Sequence, residues 1–165
     1  MWWKEFPVAG VGLIATTTDE QVLLIRENEE KLHLGKVPGM VSFPMETSEP
    51  GEEPLATMAR LIHEEIPGME LYLQLDLKPA GIYQVVAGIW VLVFWADSNT
   101  GPQWPWGLPH GDVDTPHWEP LDVAVTRNLR QGAKEALLDR IARKRNVVCR
   151  RCEVPSTLRR VRKLV

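Results

Sequence analysis

The sequence has few of the features that mark specialised classes of protein. Its only two cysteines, Cys149 and Cys152, have no second C-x-x-C pair, so the chain alone lacks the four ligands of a structural zinc site. Charged residues make up 25% and hydrophobic residues 44%, which excludes collagen-like and wholly disordered proteins. The apolar run Val85–Trp95 has eleven residues, too few for a membrane-spanning helix. With no signal-peptide pattern at the N-terminus, we expect a soluble, cytoplasmic protein with no membrane partner.

Charge is distributed unevenly along a chain whose 165 residues indicate one domain. Residues 140–165 contain ten Lys or Arg and one acidic residue, whereas the rest of the chain carries nine bases and 21 acids. We therefore predict a single domain over residues 1–147 and a basic C-terminal tail over residues 148–165. The tail could fold back on the acidic body, or it could attract phosphate groups such as those of a nucleic acid.

Hydrophobic periodicity predicts a mixed domain of strands and helices, either α/β or α+β. Residues 8–18 and 21–26 are rich in aliphatic side chains and flank Asp19-Glu20, which predicts a β-hairpin. Leucines alternate with polar residues over Leu71–Leu77, as in a half-buried strand, and the apolar segment 82–96 predicts one or two central strands. Helices are predicted over 53–66 and 133–144, a long loop over 97–116 and a short strand or turn over 118–125.

Three glutamates flank the first predicted helix. Glu52 lies just before it, and Glu64 and Glu65 lie near its end, with Arg60 one turn ahead of Glu64. Clustered carboxylates repel one another unless a cation neutralises them, and hard oxygen ligands suit Mg²⁺ or Mn²⁺, which often hold phosphates. A solvated acidic helix end with an Arg–Glu ion pair would show the same pattern.

The segment 46–68 resembles the Nudix box, G-x5-E-x7-R-E-U-x-E-E-x-G-U, in which U is aliphatic. With Arg60 on the family's arginine, Glu52 falls on the first glutamate, and Glu64 and Glu65 fall on the paired glutamates. The resemblance implies a Nudix-like α/β/α sandwich with a mixed β-sheet. It also implies Mg²⁺- or Mn²⁺-dependent hydrolysis of a nucleoside diphosphate linked to another moiety. Glu52, Glu64 and Glu65 would be metal ligands, Glu64 and Glu65 also catalytic residues, and Arg60 a substrate-binding residue.

Two departures from the box bear on activity. Glu46 replaces the opening glycine, and Leu61 replaces the glutamate after the arginine, which in the family is a metal ligand or the general base. Leucine can be neither, so we expect slow turnover at best. Glu46 could take over this catalytic role, and His63 could contribute to the site. Other candidates for the base lie in the later loop, with Glu119 the best of them: His110, Asp112, Asp114, His117 and Glu119.

The identity of the ligand and the fate of hydrolysis stay open at this stage. Trp104 and Trp118 could stack on the base of a nucleotide, although packing in the core or in a lid would also account for them. The leucine at position 61 favours an alternative, a catalytically impaired Nudix-like domain that binds a nucleotide, or binds RNA through the basic tail. We expect a nucleotide-type small molecule as partner and, by analogy with similar proteins, a homodimer.

Overall fold

The computed structural model describes residues 5–99 and 116–152, with the side chains of residues 5–99 and 116–144. Eight strands in these residues form one mixed sheet, covered by helices on both faces. The strands are β1 Val8–Thr16, β2 Gln21–Arg26, β3 Val41–Ser42, β4 Met45–Thr47, β5 Leu73–Leu75, β6 Gly81–Val86, β7 Ile89–Ser98 and β8 His117–Pro120. The helices are α1 Pro54–Glu65, α2 Leu121–Ala124 and α3 Ala133–Cys152. None of the helices in the described residues is long and apolar enough to cross a membrane.

Strand β1 lies at the centre of the sheet and explains the layered architecture. It pairs in parallel with β7 and antiparallel with β2 and β4. Its side chains alternate between the faces, so that Val11 and Leu13 join the cluster under α1, whereas Ile14 joins the cluster under α3. Both faces are therefore apolar, as a sheet between two helical layers requires. The predicted α/β/α sandwich with a mixed sheet is confirmed.

The predicted elements are mostly present, with differences that have local causes. The hairpin of β1 and β2 forms, and the apolar segment 82–96 divides into β6 and β7 at Gly88, whose φ of 79° makes the turn. The strand predicted over Leu71–Leu77 is wrong in extent, because only Leu73–Leu75 pairs with β7. Gly68, with a φ of 85°, leads into a turn of 3₁₀-helix instead, and both ends of the predicted strand are exposed.

The C-terminal helix is longer than its sequence pattern predicted. It continues from Ala133 to Cys152, so it passes through the boundary that we placed between residues 147 and 148. The helix is fixed to the sheet near its start, where the Tyr83 hydroxyl donates a hydrogen bond of 2.8 Å to Asp139. The division into a domain and a tail stays a prediction, and residues 153–165 lie outside the described residues.

A close contact between β1 and β4 fixes the position of the segment that contains Glu46. Strand β4 pairs with the beginning of β1, with Gly10 opposite Thr47 and Gly12 opposite Met45. A Cβ atom on Gly10 would overlap the Glu46 carbonyl group, so only glycine allows this contact. The pairing holds β4 against the first residues of β1, next to the end of α1.

Candidate active site

A cleft of about 160 Å³ opens where the beginning of β1, strand β4 and the end of α1 meet. Aliphatic side chains of β6 and β7 form part of its wall. Its polar and charged lining consists of Lys31, Lys36, Glu46, Thr47, Glu65 and Arg130. Acidic and basic side chains thus face the same small space, which suits a ligand that carries both phosphate groups and a bound cation.

Glu65, the last residue of α1, is a buried acid in the lining of this cleft. Its side chain accepts a hydrogen bond of 3.1 Å from the Met45 backbone amide, and the residue is only 5% exposed. Burial raises the pKa of this carboxyl well above its ordinary value, the charge of Lys36 opposes that rise, and the nearby carboxylates of Glu46 and Glu27 add to it. A further cation in the cleft would favour the ionised form of Glu65.

Arg60 connects three carboxylates at the edge of the site. Its guanidinium lies 3.0 Å from Glu46, 3.0 Å from Glu52 and 3.9 Å from Glu64, and it donates a hydrogen bond of 2.6 Å to the Thr47 carbonyl. These contacts hold β4, the following loop and α1 together. In this structure the donors of Arg60 are directed at the protein itself, and its role in substrate binding stays a prediction.

Glu52, which is predicted to be a metal ligand, lies in a hydrogen-bond network at the start of α1, and its role as a ligand stays a prediction. It accepts hydrogen bonds from the Thr57 hydroxyl at 2.8 Å and the Glu49 amide at 2.9 Å, besides its ion pair with Arg60. The hydrogen bond from Arg60, and then that from Glu49, lower the pKa of Glu52 from 4.5 to about 2. This carboxylate holds the loop against the start of α1, which begins with Pro54 in its first turn.

Two of the three predicted metal ligands, Glu52 and Glu64, lie around Arg60, whereas Glu65 lies beside the cleft. Glu52 is engaged by Arg60, Glu64 has 43% of its side chain exposed, and Glu65 is buried beside the cleft. Among the residues whose side chains are described, no group of three His, Cys, Asp or Glu converges as a ready-made metal centre. Glu46 and Glu65 are the two acids that line the cleft together.

Leu61 faces the sheet and not the cleft. Its side chain is 0% exposed and belongs to the same apolar cluster as Met58, Ile66 and Trp118. Helical spacing explains this position, because residues 58 and 61 are three apart on one face of α1. The leucine that departs from the box is thus a core residue in this chain.

Two candidate residues from the later part of the chain, Trp118 and Glu119, lie away from this cleft. Trp118 is 9% exposed and packs in the core cluster under α1, the alternative that the sequence left open, and its stacking role stays a prediction. Glu119 pairs with Val22, which is opposite Thr16 at the far end of β1 from the cleft. The six steps from Gly10 to Thr16 span roughly 20 Å of strand, so Glu119 lies at the opposite end of β1 from this cleft, and its catalytic role stays a prediction.

The remaining candidate residues lie partly outside the described residues. Trp104, His110, Asp112 and Asp114 lie outside the described residues. His117 is the first residue of β8, where it pairs with Leu24 of β2. His63 lies on α1 as an exposed residue, away from the lining of the cleft.

Sequence reasoning missed a buried group of charges behind the cleft. The Lys36 ammonium lies 3.1 Å from Glu27, and the Arg130 guanidinium lies 3.9 Å from the other oxygen of the same carboxylate. All three side chains are less than a tenth exposed. In the sequence, the segment 27–36 is polar and loop-like, which does not indicate burial. One weak sign of a tight turn in this segment is Gly35, which lies between Lys31 and Lys36.

Comparison with known proteins assigns this chain to a family. The sequence model of the NUDIX domain matches residues 7–139, most of the chain. The chain belongs to the NUDIX domain family. No curated protein matches this NUDIX domain.

Solved structures share the fold at low sequence identity. The Caenorhabditis elegans Ap4A hydrolase, as a binary complex, is 16% identical, with a TM-score of 0.64 over 83% of this chain and 98% of its own. The NUDIX domain of Shewanella oneidensis NrtR, complexed with ADP ribose, is 17% identical, with a TM-score of 0.59 over 85% and 88%. The Escherichia coli dihydroneopterin triphosphate pyrophosphohydrolase is 14% identical, with a TM-score of 0.59 over 79% and 92%. These likenesses confirm the fold.

Proposed function

We propose that this NUDIX domain hydrolyses a nucleoside diphosphate linked to another moiety, in the presence of Mg²⁺ or Mn²⁺. The observation that carries the proposal is the pair of carboxylates, Glu46 and Glu65, in the lining of one cleft. Nudix hydrolases generally use divalent metals. Mg²⁺ is usually held by one or two carboxylates together with waters and substrate phosphates, so two acids here fit the ion without a third. Glu65 and Glu46 would therefore hold it.

The residues around the cleft support distinct roles in this chemistry. A bound divalent ion would neutralise charge on the bridging phosphates and lower the pKa of a bound water. Glu64 is our candidate for the general base, because it precedes Glu65 and has 43% of its side chain exposed to solvent. Arg60 fixes Glu46 and Glu64 relative to each other. Turnover is expected to be slow, since Leu61 supplies no carboxylate from the core face of α1.

A second function is favoured by a specific observation. Arg60 already neutralises carboxylates that would otherwise call for a metal, and Leu61 fills the core where the box has a glutamate. A domain built in this way can bind a nucleotide without hydrolysing it. RNA binding through the basic tail rests on charge alone, and the homodimer is likewise an expectation.

The experiment is a turnover panel with Mg²⁺ and then Mn²⁺. Substrates are nucleoside triphosphates, ADP-ribose, dinucleoside polyphosphates, NADH and nucleotide sugars. Glu65→Gln should abolish turnover yet fold, because the amide oxygen can still accept the hydrogen bond from Met45. Glu70→Gln, a change of the same kind on an exposed glutamate, is the matched control and should leave turnover unchanged.

Three outcomes separate the two functions. Turnover that is lost in Glu65→Gln but kept in Glu70→Gln supports the hydrolase and its site. Turnover that survives Glu65→Gln refutes the assignment of Glu65. A wild-type protein that turns over none of the substrates, yet binds one of these nucleotides tightly, supports the binding domain instead.

A further inference from the structure

Strand β5 is the last strand in the order of the sheet, and in the described part of the chain it pairs with β7 alone. The carbonyl of Tyr72 accepts a hydrogen bond of 3.2 Å from the Asn99 amide. At the other end of the strand, the Asp76 amide donates a hydrogen bond of 2.8 Å to the Trp95 carbonyl. The backbone of this segment therefore faces β7 at positions 72 and 76.

The outer edge of β5 carries the backbone groups of Leu73 and Leu75. Successive residues of a strand direct these groups to opposite sides, so each leucine, next to one of the contacts with β7, directs its own to the outside. Two amide donors and two carbonyl acceptors are thus presented to another strand. The side chains of both leucines pack against the cluster under α1, which holds the edge in place.

The sequence around this edge is symmetric about Gln74. Leucines lie one and three positions to either side of it, and Glu70 and Lys78 lie four positions to either side. The outer two leucines, Leu71 and Leu77, are 85% and 66% exposed, although leucine is among the residues most often buried. The segment 70–78 is therefore its own complement, in apolar contacts and in charge, when two copies run antiparallel.

We propose that the edge of β5 binds the same edge of a second copy of this chain, in an antiparallel register centred on Gln74. Leu73 of one copy then lies opposite Leu75 of the other, and each such pair exchanges two backbone hydrogen bonds. The two-fold axis makes every contact occur twice, as in most homodimers. The interface does not rest on the proposed hydrolysis, since no residue of β5 lines the cleft.

The residues that flank β5 favour this arrangement over others. Leu71 approaches Leu77 of the second copy, so that two exposed leucines cover each other on both sides of the axis. Glu70 likewise approaches Lys78 of the second copy, and these opposite charges attract. A parallel arrangement of the same strands would place like charges together at both ends, which is unfavourable. Charge therefore selects the antiparallel pair.

A cysteine at the centre of the register tests the pairing directly. Gln74 faces Gln74 of the second copy as a non-hydrogen-bonded pair, with Cα atoms about 4.5 Å apart, a separation that a disulfide can span. Gln74→Cys, in a chain whose Cys149 and Cys152 are changed to serine, should form a covalent dimer under mild oxidation. Gln131→Cys in the same background is the matched control, an exposed glutamine outside β5, and should form little dimer on a non-reducing gel.

Sedimentation equilibrium of the full chain measures the association without a crosslink. The wild type should dimerise, and Leu71→Lys should raise the dissociation constant of the dimer at least about tenfold. The change removes an apolar contact and places a cation beside Lys78 of the second copy. Leu71 is 85% exposed, so this variant should fold. Leu55→Lys is the matched control, because Leu55 is an exposed leucine at the start of α1, and it should associate like the wild type.

The outcomes separate this interface from the proposed hydrolase. Association that is weakened in Leu71→Lys but kept in Leu55→Lys, together with crosslinking through position 74, supports the interface. A wild type that stays monomeric, or a dimer that Leu71→Lys leaves as strong as Leu55→Lys does, overturns it. Crosslinking of Gln74→Cys that is no faster than that of Gln131→Cys overturns it as well. The turnover panel decides the hydrolase separately, since β5 contributes nothing to the cleft.

Discussion

Introducing the glutamate of the Nudix box at position 61 should lower the free energy of unfolding of this protein and should not increase its activity. The Leu61 side chain is fully buried in the cluster that joins α1 to the sheet. In Leu61→Glu a carboxylate would enter this apolar space next to Met58, Ile66 and Trp118. None of these neighbours offers a cation, so the new charge would be buried without a partner.

The size of the effect follows from two costs. Losing the burial of the leucine side chain costs about 2 kcal/mol of the free energy of unfolding. Placing an unpaired carboxyl in the core, protonated or charged, adds at least about 2 kcal/mol. The sum of about 4 kcal/mol is a large fraction of the roughly 5–15 kcal/mol by which most domains are stable. Leu61→Met, which nearly conserves volume, should cost less than about 1.5 kcal/mol.

Urea unfolding followed by far-ultraviolet circular dichroism gives these free energies directly. We expect Leu61→Glu to be far less stable than both the wild type and Leu61→Met, and to gain no turnover in the substrate panel. The reasoning is refuted if Leu61→Glu unfolds within about 1 kcal/mol of the wild type. Such a result would show that position 61 faces solvent or the cleft, where a carboxylate is tolerated.

Two further substitutions test the network and the turn that shape the cleft. Because its contacts hold the pKa of Glu52 at about 2, below the ordinary 4.5, stability from ionised Glu52 is fully present above about pH 4.5 and is lost as the pH falls toward 2. Thermal melts of Glu52→Gln should therefore lie below those of the wild type at neutral pH and converge with them in acid; a constant gap would contradict this. Gly35→Ala should cost about 1–2 kcal/mol or more of the free energy of unfolding, because its Cβ would lie 2.8 Å from the Val85 carbonyl oxygen at a positive φ. Gly39→Ala, also at positive φ but in open space, should cost less in the same urea unfolding experiment, and an equal loss in both variants would contradict the close packing of Gly35.

The fold could be predicted from the sequence where local pattern and burial agree. Helix α1 shows its apolar face at helical spacing, and the structure places it over Pro54–Glu65, within one residue of the predicted ends. Strand β5 shows where this reasoning fails. Four alternating leucines predicted a strand over Leu71–Leu77, but pairing with β7 covers only Leu73–Leu75. Alternation shows only which side chains a segment would bury as a paired strand. The turn after Gly68 prevents pairing at the start of this one.

The candidate site was predictable only in the part that is local in sequence. Arg60 and Glu64 are one helical turn apart, and their contact at 3.9 Å follows from that spacing. The buried charges of Glu27, Lys36 and Arg130 could not be found in this way, since Arg130 contacts the Leu34 carbonyl across 96 positions of the chain. Residue types at such separations carry no periodic signal, and only the sheet topology brings them together. The same topology places Glu119 at the opposite end of β1 from the cleft.

The two departures from the box compensate for each other in charge. A glutamate is lost at position 61, where the residue lies in the core, and one is gained at position 46, where strand β4 lines the cleft. Arg60 contacts both Glu46 and Glu52 at 3.0 Å, because a guanidinium presents five donors in a fixed fork. The number of acids near the helix is therefore that of the box. One of them lies on strand β4 near Glu65 instead of on α1, and the core contains an apolar side chain at position 61. This exchange supports Glu46 as the substitute carboxylate that we propose for this cleft.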